Sequence, residues 1–213
     1  RRPHWRFKLS DEDVNWTDLV RGESHFKAEH LADPVLIREN GTYLYTLCSV
    51  VDDIELGVTD IVRGEDHVTN AAVQVHLFKA LGGVIPNFAH LPLITDADGE
   101  GLSKRLGSAS AEAFQAQGLE PLAIISYLTA LGTPDAPKVA TSMLELAEGY
   151  DLDKYGRATP KASIDEVLML NTKVIHALPF EQIADKLPGW SAELWEALKS
   201  NVEQYDQAAG ILA

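Results

Sequence analysis

The alternation of strand-like and helix-like runs in the first half of the chain most constrains what it can fold into. The run VTDIVRG, residues 58–64, has the composition of a strand, and HLPLI, residues 90–94, is a second strand candidate. Between them, apolar residues recur with the i, i+3, i+4, i+7 spacing of a helix that begins near Val68 and stops at Gly82. Strands that alternate with helices indicate α/β organisation, so the sequence predicts an α/β fold.

A longer stretch rich in β-branched and aromatic residues precedes this unit. VLIRENGTYLYTLCSVVDD, residues 35–53, contains an Asn-Gly turn signal and therefore predicts two strands joined by a turn. Cys48 would then lie in an apolar strand and pack in the core. Asp52 and Asp53 would point to opposite faces of that strand, which makes them a poor acid–base pair.

The first part of the chain is predicted to run to about Pro137. Its last element, residues 121–132, has the pattern of a buried helix with Pro near its start and Gly at its end, and a Pro/Asp/Pro cluster follows it. The second part of the chain, after this cluster, is predicted to be all-α. Beyond that cluster, helical patterns occur at residues 142–149, 163–178, 180–186 and 192–209.

Composition excludes several classes of protein. The 213-residue chain has no apolar run of about 18 residues, so no membrane span is expected. Its one cysteine supports neither a disulfide framework nor a cysteine-based zinc site, and a reducing, intracellular compartment fits best. The net charge of −14 by itself disfavours a nucleic-acid partner. A protein that binds phosphates nevertheless needs positive charge only where the phosphates lie.

The string GEGLSKRLGS, residues 99–108, could bind an oligophosphate. Its glycines allow close backbone approach to a ligand, and Ser103, Lys104 and Arg105 supply a hydroxyl and two cations. It fits neither of the glycine-rich phosphate motifs GxGxxG and GxxxxGK[ST]. The alternative from composition alone is a solvated surface turn.

The string RGEDHVTN, residues 63–70, lies where a predicted strand ends and a helix begins, a common place for ligands in α/β sheets. Arg63 could hold a carboxylate with two parallel hydrogen bonds. The structural alternative is that Asp66 caps the helix while Arg63 pairs with Asp60 or Glu65. A metal site made from Asp66, His67 and His76 has less support, because nothing matches HExxH.

Four strings occur in one order: VLIRENGTYLYTLCSVVDD, VTDIVRGEDHVTN, FAHLPLITDADGEGLSKR and LEPLAIISYLTALG. Together they closely resemble the glutamyl-tRNA synthetase family over nearly the whole chain. The resemblance implies a class I enzyme whose ATP-binding Rossmann domain is split by an inserted acceptor-binding domain. It assigns residues 1–32 to the end of that insertion and 33–138 to the second half of the Rossmann domain. Residues 139–213 become an all-α stem-contact domain and the start of the anticodon-binding region.

The resemblance also implies residue roles. GLSKR, residues 101–105, stands where the family has its Lys-Met-Ser-Lys-Ser-type loop, so Lys104 would steady the ATP phosphates and Arg105 would act beside it in catalysis. Gly101 replaces the first lysine of that pattern, so one cationic contact is missing or supplied elsewhere. Tyr45 and Arg63 match positions that contact bound glutamate. The remaining matches lie around ATP: Ser103, Leu93, Ile94, Glu65, Asp66 and His67.

One family signature is absent, because no H-x-G-H string occurs in these residues. The sequence is therefore expected to be an internal piece of a longer synthetase and inactive by itself. The implied reaction forms glutamyl-adenylate from glutamate and ATP, accompanied by Mg²⁺, and then transfers the glutamyl group to glutamate-accepting tRNA. A monomeric, cytoplasmic parent without protein-bound zinc is expected.

Two alternatives stay open at this point. One is a paralogue that activates glutamate but attaches it to another tRNA or to a modified tRNA base. The other is a tRNA-binding accessory module that keeps the synthetase scaffold without catalysis.

Overall fold

The computed structural model describes residues 3–96, 98–99 and 111–211. The chain divides into two compact units, Arg1–Leu93 and Ile94–Ala213. In the described residues no helix combines the length and the apolar character needed to cross a membrane.

The first unit contains two sheets. A four-stranded sheet has the order β3-β2-β6-β5, in which β2 and β3 are antiparallel while β6 runs parallel to both β2 and β5. A small antiparallel sheet joins β1 and β4. The strands are β1 Trp5–Arg6, β2 Val14–Asp18, β3 Gly22–Phe26, β4 Val35–Ile37, β5 Asp60–Gly64 and β6 Asn87–Leu91.

Helix α2, Val68–Leu81, connects the neighbouring parallel strands β5 and β6, which confirms the predicted order of strand, helix and strand. The second strand, β6, begins three residues before the strand predicted over residues 90–94 and ends at Leu91. The helix ends where predicted, because Gly82 takes a left-handed conformation with φ 71°. Its apolar residues pack on the sheet, and the core of this unit includes the fully buried Phe78 and Phe88.

The second strand predicted within residues 35–53 is wrong. After β4 the chain turns and forms helix α1, Tyr45–Leu56. Val50 is fully buried and Ile54 packs against the same core, so two residues four apart face the core together. This packing outweighs the β preference of the local composition.

The helix also corrects the side-chain directions predicted for a strand. Cys48 is exposed and does not pack in the core, because two positions along a helix turn a side chain to nearly the opposite face from Val50. Asp52 and Asp53 are successive helical residues, of which the first is exposed and the second half-buried. Burial raises the pKa of Asp53 above its ordinary value, although the charge of Arg63 lowers it.

The described part of the second unit is helical apart from one isolated bridge between Thr95 and Lys161. Three predicted helices begin at serine caps, where Ser142, Ser163 and Ser191 accept hydrogen bonds from backbone N–H groups. The helices are α3 Ala111–Ala116, α4 Pro121–Ala130, α5 Met143–Glu148, α6 Ile164–Ala177, α7 Phe180–Ile183, α8 Ala192–Leu198 and α9 Tyr205–Ile211.

The single helix predicted over residues 192–209 is two helices, α8 and α9, separated by the 3-10 turn Lys199–Asn201. Val202 follows the turn and is fully buried, and its carbonyl lies 2.7 Å from His176 Nε2 on α6. In a continuous helix this carbonyl would accept a hydrogen bond within the helix, whereas here it accepts one from His176. The His176 ring in turn meets the fully buried Trp195 edge-on, with the ring centroids 6.5 Å apart.

Candidate active site around Arg63

Arg63 lies near the end of β5, and its guanidinium is held by uncharged groups from three directions. Nε donates to His90 Nε2 on β6 at 3.2 Å, and Nη2 donates to Gln74 Oε1 on α2 at 2.7 Å. Nη1 donates to the hydroxyl of Tyr45 on α1 at 3.2 Å. The sheet and both helices of the first unit therefore converge on one arginine.

A buried pair stands behind Arg63. His90 and Asp18 are 0% and 2% exposed, and His90 Nδ1 lies 2.5 Å from Asp18 Oδ2. The other oxygen, Oδ1, accepts backbone N–H groups from His90, Arg21 and Val20 at 3.1, 2.9 and 3.1 Å. Asp18 therefore ties the turn after β2 to strand β6.

The ionisation of this pair follows from its surroundings. Burial raises the pKa of Asp18, but the hydrogen bonds from Arg21 and His90 lower it by more, so it lies below its usual value. Burial lowers the pKa of His90 below its usual value, although the Asp18 carboxylate opposes this shift. The pair is therefore a carboxylate next to a neutral imidazole at pH 7.

The rim of the site is aromatic and open. Tyr45 begins α1 and is 52% exposed, and its ring meets His67 edge-on with the centroids 5.7 Å apart. The backbone carbonyl of His67 lies 3.5 Å from Arg63 Nη2. The structure thus brings together Tyr45, Arg63 and His67, three residues singled out from the sequence.

No carboxylate in the described residues forms a hydrogen bond or an ion pair with Arg63, although Asp53 is close enough for Arg63 to lower its pKa. The alternative in which Arg63 pairs with Asp60 or Glu65 is therefore wrong. Glu65 pairs with Arg21 instead, and Asp60 accepts hydrogen bonds from Thr59 and Asn87. A half-buried guanidinium beside an open rim can receive an anion from outside the chain.

Asp66 does not cap helix α2. The cap position is His67, and it has no side-chain cap hydrogen bond. Asp66 lies instead against Gly64, where an added Cβ would be 2.6 Å from Asp66 Oδ1 and 3.0 Å from Leu93 Cδ2. The missing side chain of Gly64 thus lets two of the residues predicted to lie near ATP approach the same point of the backbone.

The other predicted site residues lie in different places. Leu93 is 48% exposed and Ile94 is half-buried, just after β6. Glu65 is on the 3-10 turn that follows β5. Residues 100–108 of the predicted phosphate loop, which include Ser103, Lys104 and Arg105, lie outside the described residues.

The described residues contain no group of three metal-ligating side chains that could hold an ion. His76 is buried on α2, and its Nδ1 lies 3.2 Å from Ser10 Oγ. The grouping of His76 with Asp66 and His67, which the sequence already disfavoured, is not among the groups that could hold a metal ion in the described residues.

Sequence reasoning missed the supports of Arg63. Asp18 and His90 are 72 positions apart and only the fold joins them. Gln74 occupies a fully buried position of α2, and its Nε2 donates to Ser49 Oγ on α1 at 2.8 Å. The available signal was a polar residue inside an apolar helical or strand pattern, because such residues need buried partners.

Comparisons with known proteins show what the chain is similar to. The family model described as "tRNA synthetases class I (E and Q), catalytic domain" matches residues 2–167. The glutamate–tRNA ligase of Azospirillum brasilense is 53% identical over 92% of this chain and 43% of its own length. Glutamate–tRNA ligase 2 of Hyphomonas neptunium is 48% identical over 94% of this chain and 46% of its own.

A solved glutamate–tRNA ligase from Elizabethkingia meningosepticum, in complex with its amino acid, has a TM-score of 0.78 and 26% identity over 97% of this chain and 47% of that chain. This likeness confirms the predicted Rossmann-type α/β fold class. The chain spans about half the length of the curated relatives it matches.

Proposed function

The chain belongs to the class I tRNA synthetases for glutamate and glutamine, and from that premise we propose that it forms the glutamate-binding part of a glutamate–tRNA ligase. The observation that carries the proposal is the Arg63 guanidinium, which is held by uncharged groups and has no bonded carboxylate in the described residues. L-Glutamate supplies the anion that such a site lacks. Tyr45, whose hydroxyl contacts Arg63, would share its recognition.

In the proposed reaction, a carboxylate oxygen of glutamate attacks the α-phosphate of ATP to give glutamyl-adenylate and pyrophosphate. The terminal hydroxyl of tRNA then attacks the glutamyl carbonyl, takes the glutamyl group and releases AMP. Leu93 and Ile94 would lie beside the adenine, and the stretch 65–67 would lie near the nucleotide. Lys104 would steady the phosphates, with Ser103 and Arg105 beside it. Mg²⁺ would arrive with ATP as part of the substrate complex.

The three-part division proposed for the chain follows these roles. Residues 1–32 would belong to the end of an acceptor-binding insertion, 33–138 to the second half of the catalytic domain, and 139–213 to the stem-contact region. The full-length ligase is proposed to act as a monomer in the cytoplasm on glutamate-accepting tRNA. The 213-residue chain alone is proposed to be inactive, because it lacks the H-x-G-H string with which the family completes the nucleotide site.

The test is ATP–pyrophosphate exchange by the full-length protein that contains these residues. Arg63→Gln should raise KM for glutamate about tenfold or more, since a charge-assisted contact is lost, and should leave KM for ATP nearly unchanged. Arg38→Gln is the matched control, because Arg38 is exposed. An Arg63→Gln enzyme with the glutamate KM of the control would contradict the assignment.

Lys104→Ala separates the two substrates. It should lower the maximal exchange rate strongly and change glutamate binding little, because its lysine acts on the phosphates. An unchanged rate would remove Lys104 from the proposed machinery. Clear exchange by the 213-residue chain alone would refute its proposed inactivity.

A further inference from the structure

We propose that the buried Asp18–His90 pair is a positioning element for Arg63. It holds His90 in the one tautomer that accepts a hydrogen bond from Arg63 Nε, and so fixes the orientation in which the guanidinium receives a carboxylate of L-glutamate. This inference rests on the proposed function, because it concerns the same arginine. Neither Asp18 nor His90 belongs to the residues assigned to substrate.

The tautomer of His90 is determined by its two partners. The Asp18 carboxylate can only accept a hydrogen bond, so His90 Nδ1 carries the proton of the 2.5 Å contact. Arg63 Nε can only donate, so His90 Nε2 must present its lone pair across 3.2 Å. The neutral, Nδ1-protonated ring is therefore the one form of His90 that satisfies both neighbours.

The fold fixes the two acceptors that lie along one edge of the Arg63 guanidinium. Nε and Nη2 donate along that edge to His90 Nε2 and Gln74 Oε1. Gln74 is fully buried and is itself oriented by its donation to Ser49 Oγ at 2.8 Å. These two acceptors therefore fix the plane of the Arg63 guanidinium from its buried side, while Nη1 faces the exposed rim at Tyr45.

The supports orient the cation without neutralising it. A carboxylate bonded directly to Arg63 would compete with an incoming anion for the guanidinium. His90 instead stands between Asp18 and Arg63 as an uncharged spacer, and the Asp18 charge is satisfied by backbone N–H groups and by His90. Because a guanidinium recognises carboxylates through a planar fork, fixing its plane before binding lowers the cost of binding.

Two substitutions separate the two hydrogen bonds of the His90 ring. In His90→Gln the side-chain amide oxygen can reach the place of Nε2 and keep an acceptor for Arg63. In His90→Asn the amide nitrogen can reach the place of Nδ1 and keep only the donor to Asp18. We expect His90→Asn to raise KM for glutamate in the exchange assay of the full-length protein about tenfold or more, and His90→Gln to raise it less.

A control variant at a core position separates a loss of stability from a loss of glutamate binding. Val14→Ala shortens a core residue of the same unit that is 1% exposed and is expected to lower the melting temperature without changing KM for glutamate. If His90→Asn raises KM no more than Val14→Ala does, the pair has only a structural role and the inference is overturned. Equal KM values for His90→Asn and His90→Gln would also overturn it, because the acceptor would then not matter.

Arg63→Gln distinguishes failure of this inference from failure of the proposed function. An unchanged KM for glutamate in Arg63→Gln would refute the function itself. A raised KM in Arg63→Gln with unaffected His90 variants would refute only the positioning role. The tautomer is read directly from the ¹⁵N chemical shifts of His90 in the full-length protein, where Nδ1 should be protonated and Nε2 unprotonated. The opposite tautomer or a doubly protonated ring at pH 7 would refute the inference.

Discussion

Two substitutions at Asp18 measure how much the stability of the first unit depends on the buried Asp18–His90 pair. The two oxygens of Asp18 have separate tasks: Oδ1 accepts three backbone N–H groups, and Oδ2 contacts His90 Nδ1. Asp18→Asn keeps an oxygen for the backbone groups, since they pin the amide orientation, and replaces the Oδ2 contact by an N–H. Asp18→Ala removes both.

The expected magnitudes follow from these bonds. Asp18→Asn loses one charge-assisted contact and should cost about 1.5–3 kcal/mol of unfolding free energy. It also favours the His90 tautomer with a proton on Nε2, because the new Asn N–H donates to Nδ1. The protonated Nε2 can no longer accept a hydrogen bond from Arg63 Nε, so KM for glutamate should rise as well. Asp18→Ala leaves three backbone donors and His90 without an acceptor at a position only 2% exposed, and should cost about 3–5 kcal/mol.

Hydrogen exchange followed by mass spectrometry reads this loss locally, because the chain has two units and a single unfolding transition is not assured. Amides of β2 and β6 in Asp18→Ala should exchange about 10²-fold faster or more, with a smaller increase in Asp18→Asn. Asp52→Ala is the control, since Asp52 is exposed on α1. Equal exchange in Asp18→Ala and the control would refute the stabilising role of the pair.

Three further predictions concern other parts of the chain. Burial lowers the pKa of His90 in the folded protein, so below about pH 6.5 the unfolded chain binds a proton at His90 that the folded chain does not, and stability should fall. Denaturation at several pH values should show a smaller loss of stability on acidification in His90→Gln, and equal losses in the two proteins would contradict this prediction. Gly64→Ala adds a Cβ 2.6 Å from Asp66 Oδ1, so it should raise KM for ATP about five-fold or more while sparing KM for glutamate; equal changes in both KM values would separate Gly64 from the nucleotide. Trp195→Ala should cost about 3–5 kcal/mol of stability in the second unit because the side chain is fully buried, and Trp195→Phe should cost less; hydrogen exchange of the α6 amides measures this cost, and a cost under 1 kcal/mol for the alanine variant would contradict the prediction.

Local signals predicted many of the helices. The ends of α2 follow from its apolar spacing and from Gly82, and three helices of the second unit, α5, α6 and α8, begin at serines that cap them. These signals act within one turn of backbone, so the sequence displays them directly. Helix α1 was missed because its β-branched residues favour a strand locally, whereas the burial of Val50 against α2 depends on the whole fold.

The candidate site divides in the same way. Arg63 and Tyr45 stand in recognisable strings, so the resemblance pointed to both, and the structure places the hydroxyl of Tyr45 3.2 Å from Arg63 Nη1. Asp18 could not be paired with His90 from the sequence, because the two residues are 72 positions apart on strands that only the folded sheet brings together. Long-range polar pairs inside a sheet leave no periodic signal.

A crystal structure of the full-length protein with bound L-glutamate would show whether Arg63 receives a carboxylate of this substrate. We expect a glutamate carboxylate oxygen within hydrogen-bond distance of the Arg63 guanidinium and of the Tyr45 hydroxyl, with the His90 Nε2 contact kept. Bound glutamate that touches neither Arg63 nor Tyr45 would refute the proposed role of Arg63.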